Sequence, residues 1–141
     1  MSKKIINTVA VLFLIHLSVF SQSSDALFRY ADSIKNINGE ESIEYLDALS
    51  IAIQTTSDEG HVNKAYNYRK YHSEIIAKKY GEYSKEYAND MFRLGNISTS
   101  LNFIDTANYY YTKCIKINEN IIDIDTLAYL NSIVFLANNY F

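Results

Sequence analysis

The sequence has 141 residues, 48% hydrophobic and 21% charged, which accommodates one small domain and disfavours functions built on a large two-domain cleft. Thirteen Lys and Arg against 16 Asp and Glu leave a formal net charge of -3 with no basic patch, which argues against a nucleic-acid phosphate backbone as partner. Proline and tryptophan are absent and glycine occurs four times, a scarcity of turn formers that points to helices with short connections and excludes an all-β sandwich.

In chain order, Lys3 and Lys4 precede an apolar run over residues 5–20, closed by Val19-Phe20-Ser21. A positive n-region, an apolar core shorter than the roughly 20 residues of a spanning helix and small residues at the end predict a signal peptide over 1–21, cleaved after Ser21. The mature chain is then expected to be exported, periplasmic or secreted. No cysteine follows the apolar run, which argues against a lipid anchor. Cys114, the one cysteine of the chain, cannot form an internal disulfide, so packing alone must hold the domain. Residues 126–141 are uncharged but short and interrupted by Thr126, Asn131, Ser132, Asn138 and Asn139, so no membrane span is expected in the mature chain.

Residues 22–38 are expected to form a lone capping helix, its stripe made of Leu27, Tyr30, Ala31, Ile34 and Ile37. Beyond it the chain repeats itself. Gly39-Glu40-Glu41-Ser42-Ile43-Glu44-Tyr45 returns as Gly81-Glu82-Tyr83-Ser84-Lys85-Glu86-Tyr87, five identities in seven at a shift of 42. Ala65 maps on Ala107, Tyr68 on Tyr110 and Ile75 on Ile117 at the same shift. With two residues deleted, Tyr87-Ala88 maps on Leu127-Ala128. A period near 40 made of helical segments predicts an all-α, right-handed superhelix of antiparallel hairpins, with units at 39–80 and 81–122 and the first helix of an incomplete third unit at 123–141. In the first unit, helices are expected over 42–56 and 61–79, split by Ser57-Asp58-Glu59-Gly60. In the second, Ser84 suits an N-cap, Gly81 the αL position closing the preceding helix, and Asp105 a cap for the helix after a short connection at 101–104.

These residues resemble the tetratricopeptide repeats, in particular the 42-residue type of kinesin light chains and of many bacterial exported or signalling proteins. The resemblance covers residues 39–141. It rests on Met91, Leu94-Gly95, Ala107, Tyr111 and Cys114 in the second unit, where small residues let two helices approach and an aromatic fills the space between hairpins. The first unit matches less closely, with Leu49, Ala52-Ile53, Ala65, Arg69 and His72, and its aromatic is lost unless Tyr68 substitutes. In the third, Asn131 and Val134-Phe135 stand at the matching positions.

No catalytic centre is expected. His72 and Cys114 stand 42 residues apart, which makes them equivalent packing positions rather than a dyad. Asp123-Ile124-Asp125 opens like a calcium loop, but the required glycine is Ala128 and the required glutamate Val134, so helix capping accounts better for these aspartates. No metal or cofactor is expected, and the chain is read as non-enzymatic. Among Tyr109, Tyr110 and Tyr111, the last two belong to the packing stripe and Tyr109 is half exposed. Asp32-Ser33-Ile34, Asp105-Thr106-Ala107 and Asp125-Thr126-Leu127 fit an O-glycan acceptor pattern as well as a helix start, so Ser33, Thr106 and Thr126 are either glycosylated or capping-region residues.

The resemblance implies a concave face, lined by the first helix of each hairpin, that binds a peptide or protein segment. Carried over one by one, its groove positions are Asp47, Ser50 and Gln54 in the first unit, Asn89, Phe92, Asn96 and Thr99 in the second, and Tyr129, Ser132 and Leu136 in the third. The family's carboxylate-gripping lysine is replaced by Ser50, Phe92 and Ser132, although Asn96 matches the asparagine one turn on. The expected function is a protein-interaction scaffold. The alternative is the front of a longer signalling or proteolytic protein, since arrays of this type are fused to histidine kinases, transcription regulators or caspase-like peptidases. Apolar residues of the last helix, Ile133, Val134, Leu136, Ala137, Tyr140 and Phe141, have no second helix to cover them, which favours such a fragment or self-association through that face.

Overall fold

The computed structural model describes residues 23–139, so the expected signal peptide, with its cleavage after Ser21, and the last two residues lie outside the described part. The described chain is all-α: α1 (Ser24–Asn38), α2 (Ile43–Asp58), α3 (Val62–Tyr80), α4 (Lys85–Ser100), α5 (Ile104–Asn118) and α6 (Thr126–Asn138). Each helix packs on the next, and α4 also reaches α6. No helix among the described residues is long and apolar enough to cross a membrane.

Local chemistry sets the helix ends, and the same ends occur twice. The Ser42 hydroxyl accepts from Tyr45 N–H and donates to Gly39 C=O; Ser84, 42 residues on, accepts from Tyr87 N–H and donates to Gly81 C=O. Each serine thereby satisfies one of the orphan donors of a helix N-terminus. Gly39 and Gly81 share φ/ψ near 92/162 and 89/160. This is a positive-φ extended conformation that suits glycine alone, in place of the αL geometry expected of Gly81.

The α2–α3 and α4–α5 connections also share one form. His61 N–H donates to Thr56 C=O and Gly60 N–H to Ser57 C=O; Phe103 N–H donates to Ser98 C=O and Asn102 N–H to Thr99 C=O. Both are Schellman closures, with Gly60 (φ 84) and Asn102 (φ 60) at the positive-φ position. This closure carries α2 on to Asp58, past the Thr56 end that the sequence suggested. It also starts α5 at Ile104 behind an N-cap of Phe103 with no side-chain cap, so Asp105 lies in the first turn and is not the cap.

Burial follows the same spacing. Each buried position of α2 (Tyr45, Leu46, Ala48, Leu49, Ala52, Ile53, Thr56) has a buried counterpart 42 residues on in α4. In α3, Ala65, Arg69, His72, Ile75 and Ile76 correspond in the same way to Ala107, Tyr111, Cys114, Ile117 and Asn118 of α5. Short connections reverse the chain, and Gly95 lets α5 come close: a Cβ built there would stand 2.4 Å from Tyr111 Cε1. Tyr111 lies between Phe92 (6.2 Å between ring centroids) and Phe135 of α6 (5.6 Å), its hydroxyl donating to Asn96 Oδ1.

The first helix is pinned at both ends. Its N-terminus is held by the Glu59 carboxylate, which accepts from Ser24 N–H at 3.0 Å and from the Ser24 hydroxyl at 2.6 Å. These bonds, chiefly that of the hydroxyl, hold the Glu59 carboxyl below its ordinary range. Near its other end Lys35 pairs with Glu40 at 2.5 Å and donates to the Tyr71 hydroxyl. The buried stripe of α1 is narrower than its periodicity suggests: Leu27 and Ala31 are buried, while Tyr30 and Ile37 are 59% and 81% exposed. Phe28 supplies the missing contact, 4.3 Å from the ring of Tyr68.

Candidate functional site

Helices α2 and α4 turn their remaining faces to a common depression. One cavity of about 430 Å³ is lined by Gln54, Phe92 and Asn96, with Ile53, Ile97 and Leu127 as its apolar wall. A second, of about 310 Å³, is lined by Asp47 and Ser50 with Lys85 and Glu86. The two adjoin through Arg69, Asn89, Arg93 and Asp125, which line both. Six sequence-derived groove residues, Asp47, Ser50, Gln54, Asn89, Phe92 and Asn96, are thus brought to one surface.

The other four are not. Ser132 is fully buried, its hydroxyl without a hydrogen-bond partner among the described residues; it is a packing residue, not a groove residue. Thr99 is exposed but outside both cavities, its hydroxyl donating to Gly95 C=O and sharing a hydrogen bond with Tyr111. Tyr129 and Leu136 are half-buried and line neither cavity. For Tyr129, Ser132 and Leu136 the cause is the placement of α6. Its Asp125 cap, which accepts from Ala128 N–H at 3.0 Å, also accepts from Asn89 on α4 at 2.8 Å. This tie brings Leu127 and Ala128, rather than Tyr129, to the cavity. Burial works to raise the Asp125 carboxyl, but the Ala128 N–H and the Asn89 amide outweigh it and hold it below the ordinary value.

Arg93 is the site residue that the sequence does not announce. It stands between the cavities, its Nε donating to Asn89 Oδ1 at 2.7 Å and its Nη1 to Gln54 Oε1 at 3.5 Å. Both are neutral amide oxygens, so these two bonds leave the guanidinium charge uncompensated and its remaining N–H groups able to meet an acceptor. The residue 42 positions earlier is Ile51, so the repeat gives no hint of it.

Beneath the groove lies a charged cluster. Arg69 is 1% exposed and takes the place that Tyr111 holds in the next hairpin; Tyr68, on the outside against Phe28, does not substitute for it. Arg69 Nη1 donates to Asp90 Oδ1 at 3.0 Å and to Ser50 Oγ at 3.1 Å, while Asp90 Oδ2 lies 2.6 Å from His72 Nδ1. Burial presses the Arg69 guanidinium below its ordinary value against the opposing charge of Asp90. His72 is therefore the hydrogen-bond partner of a buried Arg69–Asp90 ion pair and not the small packing residue that its spacing suggested.

Cys114 is buried, and desolvation raises its thiol above the ordinary range, the opposite of what an activated nucleophile needs. Asp123 faces Lys85 at 3.3 Å and Asp125 caps α6. Among the described residues no three His, Cys, Asp or Glu side chains gather closely enough to hold a metal ion. Ser33 is exposed and donates to Tyr30 C=O, Thr106 is half-buried in the first turn of α5, and Thr126 is exposed at the start of α6. Tyr111 is buried, Tyr110 half-buried with its hydroxyl 3.1 Å from that of Tyr66, and Tyr109 59% exposed. A scan against protein-family models and a search of the curated proteins both return no match.

Proposed function

We propose that this chain is a non-catalytic interaction scaffold of the tetratricopeptide kind, an exported superhelical array whose concave face binds an extended peptide or protein segment. The observation that carries the proposal is the convergence of Asp47, Ser50 and Gln54 of α2 with Asn89, Phe92 and Asn96 of α4 on adjoining cavities. Equivalent positions 42 residues apart make an open surface of polar side chains and one aromatic ring. Amides and hydroxyls on such a wall can pair with a peptide backbone, and Phe92, Ile97 and Leu127 can receive an apolar side chain. The Arg93 guanidinium, bonded to neutral oxygens alone, favours a segment that brings a carboxylate beside that apolar group.

An array of synthetic peptides tests this, each acidic sequence paired with its amide counterpart and probed with the mature chain. The expected result is binding of a subset, weakened about tenfold or more by F92A or R93A and by loss of the acidic group, with helical circular dichroism retained. Y129A, outside the cavities, should leave capture unchanged. Binding indifferent to F92A and R93A would refute the groove. N-terminal sequencing of the secreted product would test export by locating the cleavage.

A further inference from the structure

The cluster under the groove joins three helices through one imidazole. His72 of α3 turns Nδ1 to the Asp90 carboxylate of α4 at 2.6 Å and Nε2 to the Leu46 carbonyl of α2 at 3.2 Å. Both neighbours are acceptors, whereas a neutral imidazole carries a single N–H. With the proton on Nδ1 alone, the Nε2 lone pair would face the Leu46 oxygen. With it on Nε2 alone, Nδ1 would face the carboxylate unless Asp90 gained a proton, which would strip Arg69 of its buried counter-charge. Both contacts are hydrogen bonds when both ring nitrogens are protonated. His72 is 6% exposed and Asp90 2%, so water does not easily replace a lost partner, and an unmade bond there costs more than at a surface.

The equivalent place in the next hairpin is built from neutral groups. Tyr111 and Cys114 stand for Arg69 and His72, and the residue of the following helix that meets the thiol is Ser132. Only the seam between α2–α3 and α4–α5 thus holds a group whose ordinary titration lies between about pH 5 and 8. The other charged and titratable groups lining the same cavity are Asp47 of α2, Tyr80 of α3, Lys85, Glu86 and Arg93 of α4, and Asp125 ahead of α6. Carboxylates, lysine, arginine and tyrosine ordinarily titrate outside that range.

We propose that Arg69, Asp90 and His72 form a proton-operated latch between the two hairpins, closed when both imidazole nitrogens carry protons and released at the Leu46 carbonyl when one is lost. Because α2 and α4 supply the two walls of the groove, release loosens the spacing of the surface assigned above to docking. The latch itself stands without that assignment, and its test uses no partner.

The test combines nitrogen-detected NMR of the histidine rings with thermal unfolding followed by circular dichroism from pH 5.5 to 8. The expected result is a His72 ring with both nitrogens protonated at pH 5.5, Nε2 deprotonating as the pH rises, and a melting temperature that falls by about 5 °C across the range. H72Q should remove most of that pH dependence, whereas H61Q, at an exposed histidine, should preserve it. A His72 ring that keeps one proton throughout, or a slope unchanged in H72Q, would overturn the latch. If H72Q does not fold, the ring signals of the unaltered chain decide alone.

Discussion

Replacing Gly95 with alanine tests the close approach of α4 and α5 most directly. A helix interior ordinarily gains about 1 kcal/mol from this exchange, because alanine has the smaller conformational entropy to lose. Here the new Cβ would stand 2.4, 2.6 and 2.9 Å from three ring carbons of Tyr111. Restoring ordinary contact at 3.4 Å requires a relative movement of about 1 Å. The ring is 1% exposed, flanked by Phe92 and Phe135, and tethered through its hydroxyl to Asn96 and Thr99. Overpacking of such a site costs about 1–3 kcal/mol, and a displaced hydroxyl adds about 1 kcal/mol for each hydrogen bond lost. The net expectation is a destabilisation of about 1–3 kcal/mol in spite of the better helix former. At about 4 °C per kcal/mol this is a fall in melting temperature of roughly 4–12 °C, measurable by circular dichroism with urea unfolding alongside. In a Y111L background the same substitution should be neutral or stabilising, since the ring atoms it strikes are gone. A G95A chain as stable as the parent would refute the claim that glycine is there to admit the tyrosine.

D125A removes the cap of α6 and its tie to Asn89, and should cost about 1 kcal/mol, within the 0.5–2 kcal/mol range of lost N-caps, read from urea midpoints at pH 7. Because the Asp125 carboxyl is held below its ordinary value, its contribution is present in full above the unfolded-state value of about 3.9 and is lost as the pH falls through the lower folded value. Parent and D125A stabilities should therefore converge in acid below about pH 4, and a difference that persisted there would contradict the sign. Cys114, buried and with its thiol raised, should resist a thiol reagent at pH 8 until the chain opens, so labelling should track unfolding in urea; immediate labelling of the folded chain would place the thiol at the surface.

Much of the fold is legible along the chain because it is local. Ser42 and Ser84 announce two helix starts, since a hydroxyl three residues ahead of an unbonded N–H needs no distant partner. Asp125, judged by its failed calcium spacing to be a cap, is one. Met91, Leu94, Gly95, Ala107, Tyr111 and Cys114, chosen by spacing, are all buried. The periodicity errs at the ends of α2 and α5. A Schellman closure is set by where six residues can curl, and Asn102 adopts the positive φ that Gly60 adopts with no sequence identity to signal it.

The candidate site divides in the same way. Asp47, Ser50, Gln54, Asn89, Phe92 and Asn96 come from the first helix of each hairpin, where a fixed spacing along the chain is also a fixed spacing across the surface. Tyr129, Ser132 and Leu136 fail because α6 hangs on Asn89 through its cap, a contact between residues 36 apart. That contact decides which side of α6 turns inward. Arg69 and His72 fail in another sense: nothing in their spacing names Asp90 as the partner that lets a guanidinium and an imidazole lie buried.

The sequence alone determined the starts of α2 and α4, the 42-residue period and the stripe of small and apolar positions, since each depends on interactions within a few residues. Tertiary structure alone decided the rotation of α6, which turns Leu127 to the groove, and the charged seam beneath that groove. Those outcomes depend on which side chains meet across elements, and the cost of burying a charge or leaving an apolar group wet is fixed only when that neighbour is in place.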